Sequence, residues 1–230
     1  MKKYEHIFFD LDNTLWDFSA NSKKSLEELY IKYKFDQYFN NFEEFYKKYE
    51  NINNSLWNDY RNGSISKDTL AVRRFSFAAD LKKDNQISPQ TLNTEYLALT
   101  TKKSQTIEHA QKILAYLHSK YKVHIITDGF FEVQVIKLRT SKLSPYITNI
   151  ITAEEIGFLK PNKKLFDFAL EKTGATHKNS IMIGDDYEND IIGAYKAGID
   201  QIFFNKKNIE IKNIKPTYTI SNLIEIKDIL

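Results

Sequence analysis

The sequence predicts an α/β fold, with a parallel sheet sandwiched by helices and a long helical insertion in its first crossover. Three observations predict it. Short apolar runs recur and stop at acidic, polar or glycine residues. Segments of helical period separate most of them. One stretch of nearly ninety residues, 16–103, keeps a helical period and shows no buried strand.

The first run, Tyr4 to Leu11 (YEHIFFDL), ends at acids, as a buried parallel strand does at its carboxyl end. Lys122 to Thr127, Thr148 to Thr152, Ser180 to Gly184 and Gln201 to Phe204 are further short strands of the same kind. Helices are expected over Ile107 to Tyr121, where Ile107, Ala110, Ile113, Leu114, Leu117 and Tyr121 recur every three or four residues. Phe131 to Leu143, Lys163 to Thr173 and Asp190 to Ala197 behave likewise. Strand alternating with helix implies parallel strands with helices on both faces.

The insertion breaks that alternation. Leu26, Leu29, Tyr30 and Tyr33, then Phe42, Phe45, Tyr46 and Tyr49, line up at helical spacing, and the stretch is far too long for a loop. Two domains follow: a core of residues 1–15 and 104–230, and a helical subdomain of 16–103. The chain closes with a short strand from Tyr218 and a helix capped by Ser221, with Leu223, Ile226 and Leu230 on one face.

Composition narrows the function class. The 33 Lys and Arg against 30 Asp and Glu leave a net charge of +3, and only four of the bases are Arg. Scattered lysines among acids make an ordinary surface, so a nucleic-acid polymer is not the expected partner. The absence of cysteine excludes disulfides, thiolate metal sites and cysteine nucleophiles. No run of about 18 apolar residues is present, so no membrane span is expected. No signal-peptide pattern fits the start. A cytoplasmic protein, monomer or homodimer, is the expectation.

Four segments carry chemistry. Asp10-Leu11-Asp12-Asn13-Thr14 ends the first strand, where α/β folds bind ligands. Its two carboxylates share that crevice if the chain turns there; one could attack an electrophile while the other moves protons, or both could hold a hard cation. Ile126-Thr127-Asp128-Gly129 ends the second core strand. It is either a phosphate cradle built from a hydroxyl and backbone N–H groups or a plain strand-to-helix turn. Lys160, fixed by Pro161, either neutralises a phosphate or crowded carboxylates or is one more surface lysine. Gly184-Asp185-Asp186-Tyr187-Glu188-Asn189-Asp190 holds four acids in six residues, which repel unless a cation or a helix start compensates.

In this order, each after its own strand or beside a helix boundary, the four segments resemble the motifs of the haloacid dehalogenase superfamily. The likeness covers residues 4 to 14 and about 105 to 205. It implies a Rossmann-like core, and the insertion resembles that superfamily's α-helical cap of the first type. It also implies a Mg²⁺-dependent phosphatase acting on small phosphomonoesters through an aspartyl-phosphate. Asp10 is then the nucleophile and a metal ligand. Asp12 is the general acid and base, its carbonyl touching the metal. Thr127, with Asp128 of the same turn, and Lys160 hold the phosphoryl group, Asp185 binds the metal, and Asp190 and Asp186 order the metal's waters or Lys160.

Asp12 separates reaction classes, because a departing alkoxide needs a proton and a halide does not; dehalogenase activity is therefore disfavoured. Leu15-Trp16-Asp17-Phe18 and the stretch Asn62 to Lys67 leading to Arg73-Arg74-Phe75 resemble the pyrimidine 5′-nucleotidase branch. Nucleoside 5′-monophosphates are the implied substrates. A base could stack on Trp16 or Phe18 and meet Arg73 or Arg74, or the aromatics could simply pack the cap. Sugar-phosphate phosphatase, phosphomutase and a non-catalytic domain binding a phosphorylated ligand stay open. One position departs from the superfamily's usual Thr/Ser-Asn-Gly: Asp128 brings a carboxylate beside a dianion, which is tolerable if it points away or meets a cation such as Lys160.

Overall fold

A computed structural model describes residues 4–81, 87–211 and 214–230 of the 230-residue chain. The chain forms two compact units, residues 1–18 with 104–230, and residues 19–103. Residues 1–3, 82–86 and 212–213 of the expected domains lie outside the described residues. No helix among those described is long and apolar enough to cross a membrane.

The first unit is built on one parallel sheet of β1 (His6–Phe9), β2 (Lys122–Thr127), β3 (Asn149–Thr152), β4 (Ser180–Gly184), β5 (Asp200–Phe204) and β6 (Tyr218–Ile220). Their order is β3-β2-β1-β4-β5-β6. β1 lies between β2 and β4, with Phe9 opposite Ile125 on one side and Ile183 on the other. Strand order reverses direction between β1 and β4, so the carboxyl ends of these two strands open onto the crevice where such sheets bind ligands.

Side-chain alternation splits the core into two layers. Ile7, Phe9, Val123, Ile125, Ile181 and Ile183 share one buried cluster with Ile113, Leu114 and Leu117. Phe8, Ile126 and Met182 join Leu165, Phe166 and Ala169 in the other. The covering helices are α6 (Ala110–His118), α7 (Phe131–Thr140), α8 (Lys163–Thr173) and α9 (Ile192–Lys196). Several ends differ from the sequence periodicity. α6 starts after His109, which sits at φ +66°. α7 stops short of Lys142, at φ +59°. Tyr187–Ile191 forms a π-helical turn ahead of α9. The terminal segment Leu223–Asp228 is a 3₁₀ helix capped by Asn222, not Ser221: Asn222 Oδ1 accepts the Ile224 N–H at 3.1 Å, whereas the Ser221 hydroxyl donates to Glu225 Oε1 at 3.1 Å.

The second unit contains α1 (Phe18–Lys32, of which Phe18 belongs to the first unit), α2 (Phe42–Arg61), α3 (Lys67–Arg73), α4 (Ser76–Asp80) and α5 (Pro89–Thr101). No strand occurs among its described residues. Asn41, Ser66 and Ser88 cap three of these helices through their side chains. Leu26, Leu29, Phe35, Phe45, Tyr49, Phe75 and Tyr96 fill its core. The aromatic surplus therefore packs a small domain, where each large ring removes apolar area from water worth about 2–3 kcal/mol.

Candidate active site

The site is assembled at the carboxyl ends of β1, β2 and β4. Asp10 extends β1 by one residue, its N–H bonded to the Ile183 carbonyl at 2.9 Å. The chain then reverses: Asn13 takes φ +67°, a left-handed conformation asparagine tolerates, and its N–H reaches the Trp16 carbonyl at 2.7 Å. Asp10 and Asp12 thereby come to the mouth of the sheet together.

Lys160 is the hub. It is buried, and its Nζ donates to Asp10 Oδ1 and to Asp190 Oδ1, both at 2.6 Å. Its backbone N–H donates to Asp128 Oδ1 at 2.9 Å. Asp128 thus turns toward Lys160, and its charge acts both on that ammonium and on Asp10. Asp190 is fully buried and also accepts the Asp186 N–H on Oδ2 at 3.1 Å. Gly184 makes room for it, since a Cβ there would stand 2.1 Å from Asp190 Oδ2.

The electrostatics follow from burial. Desolvation pushes the Asp10 carboxyl up, against the pull of Lys160. Asp190 is raised well above the usual carboxylate range for the same reason. Asp185 is pushed up to about 7 by burial and by the charge of Asp10, with the Thr14 hydroxyl opposing at 3.0 Å. Burial alone would lower Lys160, yet the charges of Asp10, Asp190 and Asp128 win and raise it. Three crowded carboxylates and one ammonium leave an excess of negative charge.

That excess fits a divalent cation. Asp10, Asp185 and Asp190 each offer an oxygen, all within 4.8 Å of one another. Asp10 Oδ2 is buried and accepts no hydrogen bond from the described residues. An all-oxygen, anionic donor set suits a hard ion such as Mg²⁺. Asp186 stands apart. It is exposed, and its oxygens cap the following turn through the Glu188 and Asn189 N–H groups at 3.1 and 3.0 Å.

Thr127 ends β2 with its hydroxyl buried. Its Oγ1 accepts from the Gly129 N–H at 3.1 Å and from Gln134 Nε2 at 2.7 Å. Both lone pairs are then used, so the hydroxyl proton is left to be donated. Asp12 is held from α7: Lys137 Nζ reaches Oδ1 at 2.7 Å and Oδ2 at 2.9 Å, and Gln134 Nε2 reaches Oδ2 at 3.0 Å.

Sequence reasoning did not single out Thr14, Gln134 or Lys137. Thr14 lay inside the first motif. Gln134 and Lys137 share a face of α7 at a spacing of three, a signal no different from that of many surface residues. Two expected substrate contacts are occupied otherwise. Trp16 exposes no surface and packs in the core of the first unit, with Lys137 Nζ 4.6 Å from its ring centre, so it has no face on which to stack a base. Arg74 is buried in the second unit, bonded to Asn93 Oδ1 at 2.8 Å and lying over the Tyr96 ring, so its guanidinium is taken up in packing that unit. Phe18 is half-buried and Arg73 exposed.

Comparison with known proteins agrees with this geometry. The family model described as haloacid dehalogenase-like hydrolase matches residues 7–204. The chain is 32% identical to pyrimidine 5′-nucleotidase YjjG of Escherichia coli, covering 99% of this chain and 98% of that protein. It is 28% identical to pyrimidine 5′-nucleotidase PynA of Streptococcus pneumoniae, covering 99% and 95%. A crystal structure of the HAD-hydrolase YfnB from Bacillus subtilis bound to magnesium superposes with a TM-score of 0.85 at 29% identity, covering 99% of both chains. With its buried lysine-carboxylate hub at the sheet's mouth, the chain belongs to the haloacid dehalogenase-like hydrolase family.

Proposed function

We propose that the protein is a Mg²⁺-dependent phosphatase that hydrolyses small phosphomonoesters, with nucleoside 5′-monophosphates as substrates, through an aspartyl-phosphate on Asp10. The observation that carries this reading is the pairing of Asp10 with Lys160 beside a second, separately held carboxylate, Asp12. One acid can attack while the other moves protons. The two pyrimidine 5′-nucleotidases among the relatives support the choice of substrate.

Asp10 Oδ1 is fixed by Lys160, and Oδ2 has no donor among the described residues. A carboxylate oxygen attacks phosphorus while Thr127 donates its hydroxyl proton to a phosphoryl oxygen and Lys160 offsets the charge between nucleophile and phosphate. The bond from phosphorus to the ester oxygen breaks, and that oxygen takes a proton from Asp12. Water then gives a proton to Asp12 as it attacks phosphorus, the bond to Asp10 breaks, and phosphate leaves with both acids restored. Asp10 and Asp185 would hold Mg²⁺, with Asp190 beside it restraining Lys160. When bound, the ion supplies positive charge that lets a dianion approach an ionised carboxylate.

Phosphate release from UMP, dUMP and TMP, beside a panel of sugar phosphates and with and without chelator, tests the reading. Mg²⁺-dependent release that favours the nucleotides and vanishes in Asp10→Asn is expected. Faster turnover of sugar phosphates would reject the nucleotide assignment. Binding without turnover across the panel would reject catalysis.

A further inference from the structure

Asp12 is held in a clamp whose parts have no stated role in the reaction. Lys137 is buried on α7, its Nζ donating to both Asp12 oxygens and lying 4.6 and 5.4 Å from the ring centres of Trp16 and Phe18. An ammonium carries three donors. Here the carboxylate and the aromatic floor take them, so Lys137 has nothing to offer a substrate directly. The floor is firm because Trp16 is fully buried in the core. Gln134, one turn earlier, is fully buried too, and its amide nitrogen divides its two hydrogens between Asp12 Oδ2 and Thr127 Oγ1. One side chain therefore spaces the proton carrier from the phosphate-binding hydroxyl. Gly129 leaves room for that amide, since a Cβ there would lie 2.4 Å from Gln134 Nε2.

We propose that Lys137, assisted by Gln134, is the positioning residue that orients Asp12 for proton transfer, and that Asp12 Oδ1 is the oxygen that carries the proton. The inference rests on the phosphatase reading above. Asp12 Oδ2 accepts from both Lys137 and Gln134, which uses its two lone pairs, whereas among the described residues Oδ1 accepts from Lys137 alone and keeps one. The proton on Oδ1 passes to the departing ester oxygen as the phosphorus–oxygen bond breaks and Asp10 bonds to phosphorus. The Asp12 carboxylate left behind is paired with Lys137, and the proton of the attacking water returns to Oδ1 when the bond to Asp10 breaks. Without Lys137, Asp12 keeps a single bond from Gln134 and can rotate away. General acid catalysis is worth about 10²–10⁴-fold, and an ångström of misplacement about 10²-fold.

The experiment compares two esters in Lys137→Met, using kcat/KM, which covers the steps through departure of the alcohol. UMP has a poor leaving group that needs a proton; p-nitrophenyl phosphate has a good one that does not. Lys137→Met is expected to lose about 100-fold on UMP and less than about 10-fold on p-nitrophenyl phosphate, with Lys137→Arg recovering most of the loss. In an Asp12→Asn background, Lys137→Met should add little further loss on UMP. Equal losses on both esters, or no loss on either, would overturn the inference. If Lys137→Met fails to fold, Lys137→Gln, which keeps a donor and removes the charge, is read in the same way. Wild-type protein inert on both esters would instead overturn the phosphatase reading, and this inference with it.

Discussion

Replacing Lys160 by methionine is the most informative single perturbation of the site. Methionine fills similar volume but removes two charge-assisted bonds of 2.6 Å, leaving Asp10 and Asp190 buried without a counter-charge. Breaking a buried ion pair by removing one partner costs about 3–5 kcal/mol, because the surviving charge keeps its desolvation penalty. For a chain of this length, that lowers the melting temperature by about 6 to 20 °C. The pH dependence has a definite sign. Burial already raises both carboxyls above their unfolded values, and losing the lysine raises them further. The folded variant then binds more protons than the unfolded chain, so its deficit shrinks as pH falls from neutral toward the unfolded carboxylate range. Circular dichroism melts of both proteins at neutral and mildly acidic pH read this directly, and phosphate release is expected to vanish in the variant. A melting temperature within a degree or two of wild type at neutral pH would refute the reasoning, since the hub would then carry no buried charge.

Three further outcomes are expected. His124 is buried in β2, 3.1 Å from His6, and its pKa is lowered to about 4 by burial and then by His6. The native state excludes its proton while the unfolded chain accepts one, so urea-measured stability should be full above pH 6.5 and fall by about 3 kcal/mol as pH drops toward 4. His124→Phe should flatten that dependence; an unchanged slope would contradict it. Arg74→Met should destabilise the protein by about 2 kcal/mol in thermal melts while leaving KM for UMP within about twofold, as expected of a guanidinium bonded to Asn93 and not to substrate. Asp186→Ala should cost about 1 kcal/mol through its lost helix cap and change kcat less than about threefold, whereas a collapse of kcat would place Asp186 on the reacting groups.

Much of this was legible in the chain because buried parallel strands announce themselves. Phe8, Phe9, Ile181, Met182 and Ile183 are apolar on consecutive positions, as residues buried on both sheet faces must be, and the acids that follow can only lie at the sheet's mouth. That put Asp10 and the acids after β4 at one crevice before any geometry was known, whereas Lys160 ends no strand and owed its expected place to the superfamily resemblance alone. What stayed hidden depends on side-chain direction. Lys137 and Arg74 are spelled like solvated bases, yet both are buried, because Asp12 and Asn93 meet their charges inside. The direction of Asp128 was equally unreadable, since its partner is a backbone N–H at Lys160, distant in sequence. Local capping decided the terminal segment, where the Ser221 hydroxyl donates to Glu225 and the Asn222 side chain takes the Ile224 N–H in its place.

The central claim is covalent attack by Asp10, and trapping the intermediate tests it most directly. Turnover of UMP carrying a radiolabelled phosphate is quenched in acid, and the labelled peptide is identified by mass spectrometry. The account predicts a transient label on the peptide bearing Asp10, absent in Asp10→Asn and absent when chelator replaces Mg²⁺. Steady turnover with no label at any quench time, or label on another residue, would contradict it.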